Sequence, residues 1–135
     1  MATMNQIMNK IADDWGDANI LWSGTSYMAA NISLTGLVSK QHKGIVLCWS
    51  AYANGQAQDY DFVYHFVPKE HVKYFNGQGI NVFLNTIGRA GHKYLYIFDD
   101  KINGYSTNDS SSSTGSISGI TYSNTYWVLR YVFGV

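Results

Sequence analysis

Asp59 and Asp61 stand two residues apart. That separation puts two side chains on one face of a β-strand, where a pair of carboxylates could flank a sugar. They also adjoin Asn54-Gly55, a turn dipeptide, and acids at the mouth of a hairpin are ordinarily just solvated. A glycan hydrolase built on these two acids is the one catalytic alternative. The pairs Asp13/Asp14 and Asp99/Asp100 are chain neighbours, so their carboxylates diverge in helix or strand and form no dyad. His42, His65, His71 and His92 are scattered, without the spacing of a zinc site. Asp99, Asp100, Asn103 and Asp109 gather oxygens around Gly104, yet the twelve-residue calcium pattern with its closing Glu is missing. Turn formation by Asp, Asn and Gly accounts for the same letters. No Gly-x-Ser-x-Gly motif occurs, and Gly77-Gln78-Gly79 lacks the third glycine of a dinucleotide loop. The expectation is therefore a protein with no catalytic residue, no metal and no cofactor.

Binding chemistry is better represented. Loops and strand ends are rich in Tyr, Asn, Asp, Ser and Gly. Flat rings stack on the apolar faces of sugars, while amides and carboxylates bond hydroxyl pairs. The same residues also suit turns and protein interfaces. Tyr52, Tyr60, Tyr105 and Tyr122, with Asp59, are the candidate ligand contacts, whereas Trp49 and Trp127 lie in apolar runs and read as core.

Strands carry these groups. Tyr60, Phe62, Tyr64 and Phe66 recur at every second position, the period of a β-strand, and Tyr94, Tyr96 and Phe98 repeat the pattern. The run from Ile45 to Tyr52 is apolar on both faces and reads as a central strand. Asn54-Gly55 joins it to the aromatic strand as a long hairpin, and Lys69 to Phe75 reads as one helical turn after Pro68. Short strands are expected over Asn19 to Ser23, ended by Gly24, and over Asn31 to Leu34. Ile80 to Ile87 sets Ile80, Val82 and Leu84 against Asn81, Phe83 and Asn85, and pairs with Tyr94 to Phe98 across a turn from Gly88 to His92. Asn103 to Gly119 reads as a loop. The last strand should set Trp127, Leu129, Tyr131 and Phe133 against Tyr126, Val128, Arg130 and Val132. The one long helix is N-terminal: Thr3 and Gln6 make a capping box, Met4, Ile7, Met8, Ile11 and Trp15 follow at helical spacing, and Gly16 stops the run. Such a stripe must dock on its own sheet or on copies of itself, the second making Met4, Ile7, Met8 and Ile11 oligomerisation contacts.

The expected architecture is all-β: residues 1–16 form the helix, and residues 17–135 form one β-sandwich or jelly-roll-like domain. At 135 residues, one core is the natural count. Aromatic residues make up 16% of the chain and charged ones 13%, and nine basic side chains balance nine acidic ones. That balance gives no basic footprint for nucleic acid, and near-zero charge on an aromatic surface favours a homo-oligomer. No signal-like leader and no apolar run of ~20 residues is present, so cytoplasmic synthesis without membrane insertion is expected. Cys48 sits in an apolar run and reads as a buried structural thiol.

The stretches Ile20-Leu21-Trp22-Ser23-Gly24, Gly44-Ile45-Val46-Leu47-Cys48-Trp49-Ser50, Phe66-Val67-Pro68-Lys69, Lys93-Tyr94-Leu95-Tyr96-Ile97, Gly119-Ile120-Thr121-Tyr122 and Trp127-Val128-Leu129-Arg130 span nearly the whole chain from Asn19. Together they resemble small all-β modules in tail and baseplate proteins of phages that infect Gram-positive bacteria. The resemblance carries no ligand residue across. It implies a virion part assembled in the host cytoplasm, often trimeric, with other tail or baseplate proteins as partners and a cell-wall polysaccharide or teichoic acid as target. The short N-terminal helix would fit a tail-docking or trimerising element, and the long shaft of a full fibre is lacking. A purely structural tail protein that touches only virion partners is the competing expectation.

Overall fold

The computed structural model describes residues 2–8, 19–110, 115–117 and 119–135. Helix α1 is described over residues 4–8. Its capping box forms as expected: Thr3 N–H donates to Gln6 Oε1 at 2.9 Å, and Gln6 N–H donates to Thr3 Oγ1 at 3.2 Å. The expected continuation through Ile11 and Trp15 lies outside the described residues. Strands follow as β1 (Asn19–Ser26), β2 (Ile32–Ser33), β3 (Gly44–Ala53), β4 (Gln56–Ala57) and β5 (Val63–Pro68). Helix α2 (Glu70–Phe75) comes next, then β6 (Gly79–Thr86), β7 (Arg89–Ile97), β8 (Lys101–Asn103), β9 (Gly115–Ile117), β10 (Ile120–Tyr122) and β11 (Trp127–Gly134).

Two sheets result, and the fold is an all-β sandwich. The front sheet runs β1-β11-β3, with β5 and the short β4 both on the far side of β3. The back sheet runs β2-β8-β7-β10-β9, with β6 on β7. All pairs are antiparallel except the short contact of β10 with β7. Between the sheets Leu21, Ile45, Leu47, Trp49, Val67, Trp127, Leu129 and Val132 meet Val82, Leu84, Leu95, Ile97 and Ile102 in one core. Both tryptophans are fully buried, as their apolar settings predict, and each side chain of this size contributes several kcal/mol of burial.

Several local expectations need correction. β1 continues through Gly24, because the Trp22 ring lies where a Cβ at that position would sit; the glycine makes room for the ring and does not end the strand. The β3–β5 hairpin forms through Asn54 and Gly55, both at positive φ. Its return strand is interrupted, however: after Gln56–Ala57 the chain leaves the ladder and rejoins it at Val63. Tyr60 and Asp61 therefore lie in a bulge, with Asp61 at φ 56°, a region Asp tolerates better than most residues. In β11 the register slips between Leu129 and Tyr131. An extra residue there reverses the alternation, so Trp127 and Leu129 share the core with Val132 while Tyr131 and Phe133 turn outward and stack at 5.2 Å. The β6–β7 turn is tighter than expected, with Ile87 and Gly88 alone between Thr86 and Arg89.

The segment from Asn103 to Gly119 holds more order than a loop. Residues Ser106–Asp109 form a 3-10 turn, and β9 and β10 pair with each other. Along one edge of β7, β10 covers Arg89 and Ala90 and β8 covers Tyr96 and Ile97. The gap between them is closed by two asparagine side chains. Asn124 Oδ1 accepts from His92 N–H at 2.9 Å. Asn108 Oδ1 accepts from Tyr94 N–H, and its Nδ2 donates back to Tyr94 O, both at 2.8 Å. A primary amide offers the same donor and acceptor as a peptide group, so these side chains stand in for a missing strand.

Candidate functional site

The outer face of the back sheet carries the densest group of ligand-type side chains. On β6, Asn81, Phe83 and Asn85 point outward because Val82 and Leu84 fill the core. Cross-strand pairing sets Asn81 beside Tyr94, Phe83 beside His92 and Gly79 beside Tyr96. Phe83, 71% exposed, lies 5.0 Å from the His92 ring. The Nε2–H of His92 donates to Asn81 Oδ1 at 2.9 Å, which fixes the ring over the sheet. Tyr94 lies across Gly79, where any Cβ would overlap its ring. Tyr105 then packs edge-on against Tyr94 at 5.6 Å and Tyr96 at 6.5 Å.

At the other end of the same face, Phe83, His92 and Tyr122 line an open cleft of about 530 Å³ with the Asn85 amide, while the Asn124 amide beside it is bonded to His92 N–H and Thr107 O. The two ends are continuous through Asn81 and Tyr94. Among the described residues no Lys or Arg lines this cleft. A surface of this kind can stack planar or ring-shaped ligands on several aromatic faces while amide groups bond their hydroxyls. Two of the sequence candidates, Tyr105 and Tyr122, thus fall at opposite ends of one face.

The other three lie elsewhere. Tyr52 packs edge-on against Tyr27 at 5.1 Å. Tyr60 is exposed in the hairpin bulge, where its carbonyl accepts from Ala51 N–H. Asp59 pairs with Arg130 at 3.0 Å. Asp61 accepts from Thr86 Oγ1 and from the Tyr126 hydroxyl, so it ties the bulge to the end of β6 and the start of β11. Burial, reinforced by that carboxylate, pushes the Tyr126 hydroxyl up to about 12. The Arg89 guanidinium lies 4.2 Å over its ring. The positive φ of Asp61 removes the strand alternation that was expected to align the two acids.

Comparison with protein-family models, with curated proteins and with solved structures gave no match.

Among the described residues no three His, Cys, Asp or Glu side chains come together as a metal site. Asp99 instead accepts from Ser39 N–H at 2.7 Å and Ser39 Oγ at 2.8 Å, closing one wall of a second cleft of about 580 Å³ beside α2. No described helix is long and apolar enough to cross a membrane. Cys48 is buried, and burial pushes its thiol up. It belongs to the outward row of β3, between Tyr64 and Tyr131 on the neighbouring strands.

The face of the back sheet was only half visible in the sequence. The alternation that places Asn81, Phe83 and Asn85 outward is there to be read, as is the shared face of Tyr94 and Tyr96. Their union depends on the β6–β7 register, which the two-residue turn sets. His92 and Asn124 carry no local signal, since each acts through a partner distant in sequence.

Proposed function

We propose that this chain is a non-enzymatic glycan-binding module which engages a bacterial cell-wall polymer through the outer face of its back sheet. The setting we propose is a phage tail or baseplate, on the resemblance of its strand sequences, with other virion proteins as partners. The observation that carries the binding reading is the continuous row of Tyr105, Tyr94, Asn81, His92, Phe83 and Tyr122. Five rings and the Asn81 amide make up this row, and the Asn85 amide lies in the cleft at its Tyr122 end. The cleft lining without Lys or Arg favours a neutral polysaccharide over a polyphosphate such as teichoic acid.

Retention on purified Gram-positive cell walls tests this. The wild-type chain is expected to be retained and to release no soluble sugar. Phe83→Ala and Tyr105→Ala should each weaken retention about fivefold, as loss of ~1 kcal/mol of ring stacking implies. Both rings are exposed, so their removal leaves the core intact. Retention unchanged in both variants would remove this face as the site, and release of sugar would make the protein a hydrolase.

A purely structural tail role is the second reading. It is favoured by the aromatic outer face of the front sheet, where Tyr64 and Phe66 are both more than half exposed. Absence of wall retention would select it.

A further inference from the structure

We propose that the outer face of the front sheet is a docking surface for the N-terminal helix of a second copy of this chain. The face is built by register. Ile20, Phe133, Val46 and Phe66 form one row across β1, β11, β3 and β5, and Tyr131, Cys48 and Tyr64 occupy the next. Neither row contains a charged residue. Arg130, in the β11 bulge beside them, is turned to Ser50, Gln58 and Asp59. An apolar patch of a few hundred Å² on a single domain is often a functional surface.

The chain carries a matching surface. In α1 the apolar residues Met4, Ile7 and Met8 share one face and are 70%, 45% and 55% exposed. An uncharged stripe of flexible Met and Ile side chains suits an irregular aromatic surface. Ten residues, 9–18, connect it to β1, the edge strand of the same face. Fully extended they reach ~33 Å, whereas four strands span only ~14 Å. The helix is thus long-tethered enough to reach its own sheet, yet its stripe stays exposed. The face is left open for another chain.

Interface size leads to the same occupant. Two rows over ~14 Å of sheet cover a few hundred Å², below the ~800 Å² per partner of a standard interface, so two sheets pressed together would be too small. Exchange of helices gives each copy two contacts, one through its helix and one through its sheet. Exchange between two copies closes as a dimer, and exchange around a ring closes as a trimer.

The oligomeric state of paired variants tests the exchange independently of any glycan. Ile7→Glu spoils only the helix, and Phe66→Glu spoils only the face; both positions are exposed. The wild-type chain should exceed the 15.1 kDa monomer mass in light scattering, and each variant alone should be monomeric with an unchanged far-ultraviolet spectrum. Mixed together, the two variants can form only one of the two exchange contacts, so any association between them should be weaker than that of the wild type. Tyr64→Glu serves as the face variant should Phe66→Glu misfold. A monomeric wild type, or a folded helix or face variant that keeps the wild-type mass, would each overturn the proposal.

Discussion

Replacing Asn108 by Ala is expected to lower stability by on the order of 4 kcal/mol, read as a reduced urea midpoint with unchanged slope. The side chain is fully buried and its amide makes three hydrogen bonds: it accepts from Tyr94 N–H and donates to Tyr94 O and Met28 O. Removing it leaves Tyr94 N–H and Tyr94 O without that partner in the sheet interior, at roughly 1–3 kcal/mol each, while Met28 O keeps the Tyr105 N–H. Asn85→Ala is the control. Asn85 stands exposed on the neighbouring strand, and its loss should change stability by less than about 0.5 kcal/mol. Equal effects of the two substitutions would refute the role of Asn108 as a strand substitute.

The stability of the domain should rise with pH between about 7 and 9, at up to ~1.4 kcal/mol per pH unit, and Lys93→Met should flatten that rise. Lys93 projects from β7 into the core, where its Nζ donates to Tyr27 O at 3.1 Å and Asn108 O at 2.6 Å. The rings of Tyr27 and Trp49 lie 5.2 Å and 5.9 Å from it. Burial depresses its ammonium from 10.5 to about 7, with Asp109 opposing the shift. The unfolded chain keeps that proton up to about pH 10.5 while the folded chain releases it above about 7. Unfolding therefore takes up a proton in this window, and raising the pH favours the native state. Above pH 9 the gain is opposed, because burial also raises Cys48, Tyr64 and Tyr126, whose unfolded forms ionise first. Below about 6.5 stability should fall, since burial lowers His65 and the unfolded chain takes the proton more readily. Thermal unfolding across pH 5 to 10 in wild type and Lys93→Met measures both effects. An equal slope from pH 7 to 9 in the two proteins would show that Lys93 is not its source.

Whatever depends on neighbours in the chain was legible in the residues alone. Period-two alternation in β5, β6 and β7 gave the strands, Asn54-Gly55 gave the hairpin reversal, Thr3 and Gln6 gave the helix cap, and apolar runs around Trp49 and Trp127 gave the core. Each is a local rule, settled within a few residues. Whatever depends on pairing was settled only by contacts across the fold. One extra residue between Leu129 and Tyr131 moved Tyr131 and Phe133 from the expected core face to the outer face, and the aromatic surface of the front sheet exists because of it. The bulge at Asp61 separated two acids whose spacing promised a shared face. Asn108 and Asn124, ordinary turn residues by composition, became ladder elements because β8 and β10 leave the middle of β7 uncovered. The ring-and-amide face likewise formed from Tyr105, Tyr94, Phe83 and Tyr122 only once β6 and β7 were in register. Register and bulges are set by contacts between residues far apart in sequence, and a side-chain period of two means that a slip of one residue exchanges core for surface.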